Sequence, residues 1–230
     1  MNVCTLENIH QKLNVVIHIQ EKYICVGTSN GSVLVITAKG NMFHITDTMK
    51  KHSDAIAALS GCKHETDEVQ NALDIDFVCS DDSGNISTYK SNSPSFEFCS
   101  FMNGDGIPCT CVHLATNGLI FAGYLNGHLK VFDSASSTLL ADIEAHARII
   151  SCLDVSPKMD GNRLVVASGS EDSFIRVWHI SRDDVIDVTH KWCGSILNLA
   201  VCGVKFNDDY GKSVLVSGYD TKEVIQFTTA

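Results

Sequence analysis

Residues 164–180 read LVVASGSEDSFIRVWHI. Two runs rich in β-branched and aromatic residues, LVVAS and FIRVW, flank the short polar connection GSED, and this pattern specifies a β-hairpin. The frame returns along the chain, with Gly27, Ser80, Gly123, Gly169 and Gly218 at equivalent places. Nine residues after each stands a large apolar or aromatic residue: Ile36, Tyr89, Phe132, Trp178 and Phe227. The hairpin has constant length, and all variation falls in the connections. A fixed unit repeated at a period in the forties to low fifties marks a β-propeller.

Outward from each hairpin, one strand-like run precedes it and one follows. NVVIHI and MFHIT bracket the first hairpin, AIAALS and FEFCSF the second, CTCVHL and TLLADI the third, ISCLDV and DVIDVTH the fourth. The fifth set begins with LAVCGVKF and has no fourth strand after EVIQF. The expected organisation is one all-β domain over residues 1–230, with blades at roughly 1–47, 48–102, 103–144, 145–191 and 192–230. MNVCTL, residues 1–6, is placed to supply the missing strand, or to end an earlier blade. The five blades either close on themselves or form part of a larger, seven-bladed ring. GCKHETDEVQNALD, residues 61–74, is polar and acidic and reads as an insertion or mobile loop. All three prolines fall outside the strand runs, as a β chain requires.

With 230 residues, the chain can bury a core without staples. Its 17 Lys and Arg against 27 Asp and Glu give a net charge of −10, the wrong sign for tracking phosphates, so nucleic acid is disfavoured as a partner. Among the ten cysteines, Cys25, Cys79 and Cys152 sit inside apolar strand patterns, as small buried hydrophobes do. The opening MNVCTLENIHQKLNVV lacks the basic start and apolar run of a secretory signal, and no run is long enough to span a membrane. Reduced thiols in a cytoplasmic, intracellular setting are expected.

The segment HARIISCLDVSPKMDGNRLVVASGSEDSFIRVWHI resembles a WD40 repeat, and His146, Ser168, Asp172 and Trp178 match that family's motif. The resemblance implies a buried structural hydrogen-bond network of these four side chains, whose donors and acceptors can satisfy one another. The second unit keeps His52 in the right place, but Ser83 and Tyr89 stand where Asp and Trp are expected. Ile36, Phe132 and Phe227 cannot donate a hydrogen bond, so one blade alone is expected to carry a full network. A wider resemblance runs through YICVGTSNGSVLV, DDSGNIS, GIPCTCVHLATNGLIFAGYLNGHLKVFDSASSTL, EAHARIISCLDV, AVCGVKF and SGYDTKEVIQF. In order and spacing these are similar to the WD repeat-containing protein 54 family, whose members usually carry a longer N-terminal region. The chain resembles the C-terminal part of such a protein, or a shortened product of one. This implies a scaffold or adaptor without catalytic activity.

The chemistry-bearing residues support the same reading. His146, Asp172 and Ser168 could be taken for a catalytic triad, yet the network explains all three together with Trp178. Cys109 with Cys111, and Cys62 with His64, lack the second ligand pair of a zinc site. Asp81–Asp82 and Asp183–Asp184 lack the spaced oxygen ligands of a calcium loop. TSNGS, YLNGH and MNGDG are turns, since a phosphate loop needs a lysine and a following helix. Trp178, His179, Ile180 and Ser181, with Arg182 one place late, miss the W-D-x-R signature of ligase-docking WD40 proteins. No catalytic residue, metal or cofactor is assigned.

The remaining candidates are Tyr124, Arg148, Glu171, Trp192, Tyr219 and Asp220, in turns and incoming loops that line a propeller rim. Tyr, Trp and Arg are the side chains that anchor protein interfaces. The expected function is a non-catalytic intracellular scaffold that binds protein partners through this rim. Self-association is the further expectation if the ring stays open. The alternative is a propeller enzyme or small-ligand binder acting at the central opening, which would need polar groups converging on the axis.

Overall fold

The computed structural model describes residues 13–19, 23–39, 42–61, 75–93 and 95–228. The segments 1–6 and 62–74, expected to be a strand and an insertion, lie outside the described residues. The described residues form nineteen strands in five antiparallel sheets, and each sheet is a meander in chain order. The first contains β1 (Leu13–Ile19), β2 (Tyr23–Thr28), β3 (Ser32–Lys39) and β4 (Met42–Lys50). The second contains β5 (Ile56–Gly61), β6 (Phe77–Asp81), β7 (Ile86–Asn92) and β8 (Ser95–Met102). The third is β9 (Cys109–Leu114), β10 (Leu119–Tyr124), β11 (His128–Asp133) and β12 (Thr138–Glu144). In the fourth are β13 (Ile150–Val155), β14 (Arg163–Ser170), β15 (Phe174–Arg182) and β16 (Ile186–Ser195). The fifth has three strands, β17 (Val201–Phe206), β18 (Ser213–Gly218) and β19 (Val224–Thr228). β4 and β16 run on to residues 50 and 195, past the ends drawn from the sequence.

The chain divides into two compact units, residues 1–118 with 134–137, and residues 119–133 with 138–230. In the first, Tyr23, Cys25, Val33 and Val35 pack against Ile56, Leu59, Phe77, Cys79 and Tyr89. Phe77 stacks on Tyr89 with ring centroids 4.6 Å apart, and Phe96 meets Phe77 edge-on. In the second, Val165, Ala167, Ile175 and Val177 face Val201, Val204, Val214 and Val216. The second strands β6 and β10 are buried on both faces, whereas β4, β12 and β16 are largely exposed. This is why the inner runs read as continuous apolar stretches and the outer ones as mixed.

Register shifts recur at matching places. Between the third and fourth strands they fall at Val35/Ile36, Thr88/Tyr89, Val131/Phe132 and Val177/Trp178. Each lies immediately before the large residue nine positions after the hairpin anchor. A bulge adds local twist and re-aims the neighbouring side chain. Here it sits beside Tyr89 and Trp178, the two residues of the set whose aromatic side chains can donate a hydrogen bond.

The hairpin turns are fixed by close backbone approach. Gly127 has φ +86°, and a Cβ there would lie 2.1 Å from the carbonyl oxygen of His146. Gly31, with φ +81°, stands in the same relation to His52, at 2.3 Å. Gly161 has φ +62°, and the place its Cβ would take has no other atom within 4 Å. Gly161→Ala is expected to cost only the backbone strain, about 1 kcal/mol. Gly127→Ala should cost at least ~2 kcal/mol, because the carbonyl must also shift. Urea unfolding followed by tryptophan fluorescence reads both, since the two tryptophans, Trp178 and Trp192, lie in the same sheet.

Candidate functional site

His146 enters four residues ahead of β13 and is buried. Its Nδ1 lies 3.1 and 3.2 Å from the two carboxylate oxygens of Asp172, and its Nε2 lies 2.8 Å from Ser168 Oγ. Trp178 Nε1–H donates to Ser168 Oγ over 3.1 Å. Asp172 also accepts from the backbone N–H groups of Ala147 and Phe174. The structure thus brings together the four residues named from the WD40-like segment. Burial, with the charge of Arg176 adding to it, lowers His146 below its ordinary 6.5 against the pull of Asp172. Burial alone would raise Asp172, but the N–H groups of Phe174 and Ala147 and the nearby His146 hold it below 3.8. A neutral ring beside a carboxylate leaves one consistent set of directions. Trp178 donates to Ser168, Ser168 to His146 Nε2, and His146 Nδ1–H to Asp172.

The expectation of a single network is corrected by the second sheet. His52, four residues ahead of β5, lies with Nδ1 2.7 Å from Asp81 Oδ2 and Nε2 2.7 Å from Ser87 Oγ. Ser87 Oγ is 3.1 Å from the hydroxyl of Tyr89 and 3.0 Å from Cys79 Sγ. Asp81 further accepts from the N–H groups of Ser83 and Asn85 and from the Asn85 side-chain amide. All five principal members, His52, Cys79, Asp81, Ser87 and Tyr89, are buried. The carboxylate comes from two residues earlier than the family motif places it. The hydroxyl comes from the next strand, at the position that Arg176 holds in the fourth sheet. Ser83, at the motif's Asp position, instead bonds Asp54 near the surface. The signal that spacing alone passes over is the pair Asp81–Asp82, one of which lies at the end of a strand.

The candidates for a binding rim separate. Tyr124 is 1% exposed, with Lys130 Nζ 4.6 Å from its ring, so it is a core residue and does not belong to the rim. Trp192 is half-buried against Phe227 at 5.3 Å and over Gly194, so it too serves packing. Arg148, Glu171, Tyr219 and Asp220 are exposed. Two residues not singled out in the sequence join them, Phe174 (37% exposed) and Leu197 (88%). Phe174 is the first residue of β15, and Leu197 lies in the turn after β16.

These residues lie on turns tied to one another by backbone hydrogen bonds. Glu171 N–H donates to Ile149 O, Ile196 N–H to Ser173 O, and Tyr219 N–H to Ala200 O. Ser173, Asn198 and Asp220 in these turns hold positive φ of 72°, 58° and 58°. Backbone hydrogen bonds thus link, one to the next, the turns of the second unit that carry Arg148, Phe174, Leu197 and Tyr219.

The sequence profile of the WDR54 family matches residues 8–230. The chain belongs to the WDR54 family. It is 36% identical over 213 residues to the mouse WD repeat-containing protein 54, covering 90% of this chain and 60% of that protein. Identity to the human protein of the same name is 34% over 212 residues, again 90% of the chain and 60% of the relative. The rat WD repeat domain 54 is 35% identical over 211 residues, 89% and 60%. The chain therefore spans about 60% of the length of these relatives. WDR54 membership agrees with the resemblance read from the quoted segments, and with a WD40-type β-propeller class built of about five blades.

In this WDR54 family chain the described cysteines are all free thiols. Burial pushes Cys79 up to about 12, far from a reactive thiolate. Among the described residues no three His, Cys, Asp or Glu side chains converge to hold a metal, and no helix is long and apolar enough to cross a membrane.

Two outcomes are expected. Ser87→Ala removes the hydroxyl shared by His52 and Tyr89 and should destabilise the second sheet by about 1–3 kcal/mol. Ser83→Ala should cost under ~0.5 kcal/mol. Amide hydrogen exchange across β6 and β7 measures both. The second concerns pH. The folded chain binds the His146 proton more weakly than the unfolded chain, whose imidazole titrates near 6.5. Acidification through that value therefore favours unfolding, and Asp172 adds a further loss as pH falls below 3.8. The urea midpoint seen by tryptophan fluorescence should fall between about pH 7.5 and pH 5, and the fall should shrink in His146→Asn.

Proposed function

We propose that this chain is a non-catalytic, cytoplasmic scaffold that binds protein partners through the turn surface of its second unit. The observation that carries the reading is the exposure of Phe174, Leu197 and Tyr219 beside Arg148, Glu171 and Asp220, on turns linked by backbone hydrogen bonds. Large apolar side chains raised on rigid, strained turns have no role in the core, and aromatic residues with Arg are the usual anchors of interfaces. Loops positioned by a rigid scaffold are where recognition is commonly placed.

The engagement of the chemistry-bearing groups supports the non-catalytic part. The buried carboxylates Asp81, Asp133 and Asp154 are taken by structural donors: His52, Arg182 at 2.8 Å and Lys205 at 2.6 Å. The serine and histidine that resemble a triad are committed to Trp178 and Asp172.

The double substitution Leu197→Asp with Tyr219→Ala should leave the urea midpoint within about 0.5 kcal/mol of the parent. Proteins cross-linked to the parent in cytoplasmic extract should be lost with this variant. Retention of the same proteins by both would contradict the assigned surface.

A further inference from the structure

Arg176 stands on β15 with its guanidinium carbon 5.3 Å from the centre of the Phe174 ring. Its Nε is buried and has no hydrogen-bond partner. Among the described residues no ion pair engages Arg176, and none engages Arg148 or Glu171 nearby. In the second sheet the equivalent position is Ser87, which completes the histidine network. In the fourth sheet Ser168 already fills that role, so Arg176 has no structural task in it.

A buried donor left without an acceptor is costly, and native structures rarely keep one without a reason. The guanidinium is a planar fork whose geometry matches a carboxylate, and an aromatic face beneath it holds the plane in place. Arg148 is held on the same rigid piece. Asp172 accepts from both Ala147 N–H and Phe174 N–H, and Ser170 Oγ donates to the Arg148 carbonyl. Arg176 thus lies against the Phe174 ring with an unpartnered Nε, and the exposed Arg148 and Leu197 stand on turns tied to this hairpin.

We propose that this corner of the turn surface is a docking site for an acidic peptide segment, whose carboxylates take Arg176 and Arg148 while an apolar neighbour covers Phe174 and Leu197. The proposal rests on the scaffold reading above and names the class of partner. The chain's net charge of −10 opposes such a partner at long range. Recognition therefore depends on the short-range fork, and charge steering contributes little to the rate of association.

The test is NMR of the arginine side-chain Nε–H signals. The full chain is titrated with a blocked leucine–glutamate–glutamate–leucine tetrapeptide and, separately, with its diglutamine counterpart, each to ~10 mM. The glutamate peptide should move the Arg176 Nε–H signal saturably and bind at least about fivefold more tightly than the glutamine peptide. Arg176→Lys, which keeps the charge and loses the fork, should lose most of this preference, as should Arg148→Gln. Arg148 is exposed, so the second variant keeps the test open if the first misfolds. Equal responses to both peptides, or none at Arg176, would overturn the proposal. Partner capture that depends on Leu197 and Tyr219 without any Arg176 response would retain the scaffold and remove its preference for acidic segments. An Arg176 response without such capture would do the reverse.

Discussion

A buried imidazole cannot be left half-satisfied, and this requirement organises the hairpins that carry His52 and His146. Each ring lies beneath its hairpin and has a carboxylate on one nitrogen and a hydroxyl on the other. A polar group withdrawn from water without partners costs more than a formed hydrogen bond returns. Loop, turn and two strands must therefore all be in place before either ring can be buried. The glycines at residues 31 and 127 bring the preceding turn against the carbonyl of the same histidine. Backbone contact and side-chain network thus act on one point.

The two networks reach the same end by different routes. In the fourth sheet a turn carboxylate and a strand serine meet a tryptophan. In the second, Asp81 at the end of β6 and Ser87 on β7 fill these places, with Tyr89 as the aromatic partner and Cys79 at the place of Ser168. The third-strand position that supplies this hydroxyl in the second sheet carries Arg176 in the fourth, where Ser168 supplies it. A side chain freed from the network there lies beneath the exposed turns, next to Phe174. One strand position thus serves the histidine network in one blade and sets a half-buried arginine beside Phe174 in another.

Much of the fold could be read from the repeated hairpin frame, because period-two patterning and turn residues act locally. Every strand run marked within the described residues is a strand, including the three-stranded last set. The bulges could not be read, since they depend on which strands pair and in what register. The second network was also hidden. Motif spacing placed its acid at Ser83, and only the folded strands show that Asp81 reaches His52. Tyr124 illustrates the opposite error. A tyrosine next to a turn reads as a surface anchor, yet here it closes the end of a strand buried on both faces. Leu197 and Phe174 carry no motif, and their exposure follows from packing that the sequence does not express.

The most direct test of this account observes the histidine ring protons. In a long-range nitrogen–proton NMR spectrum, His52 and His146 should each show a slowly exchanging Nδ1–H, held by Asp81 and Asp172, with the proton absent from Nε2 of His146. A rapidly exchanging His52 ring, or a His52 signal unaffected by Asp81→Asn, would contradict the second network and return the fold to a single histidine-centred blade.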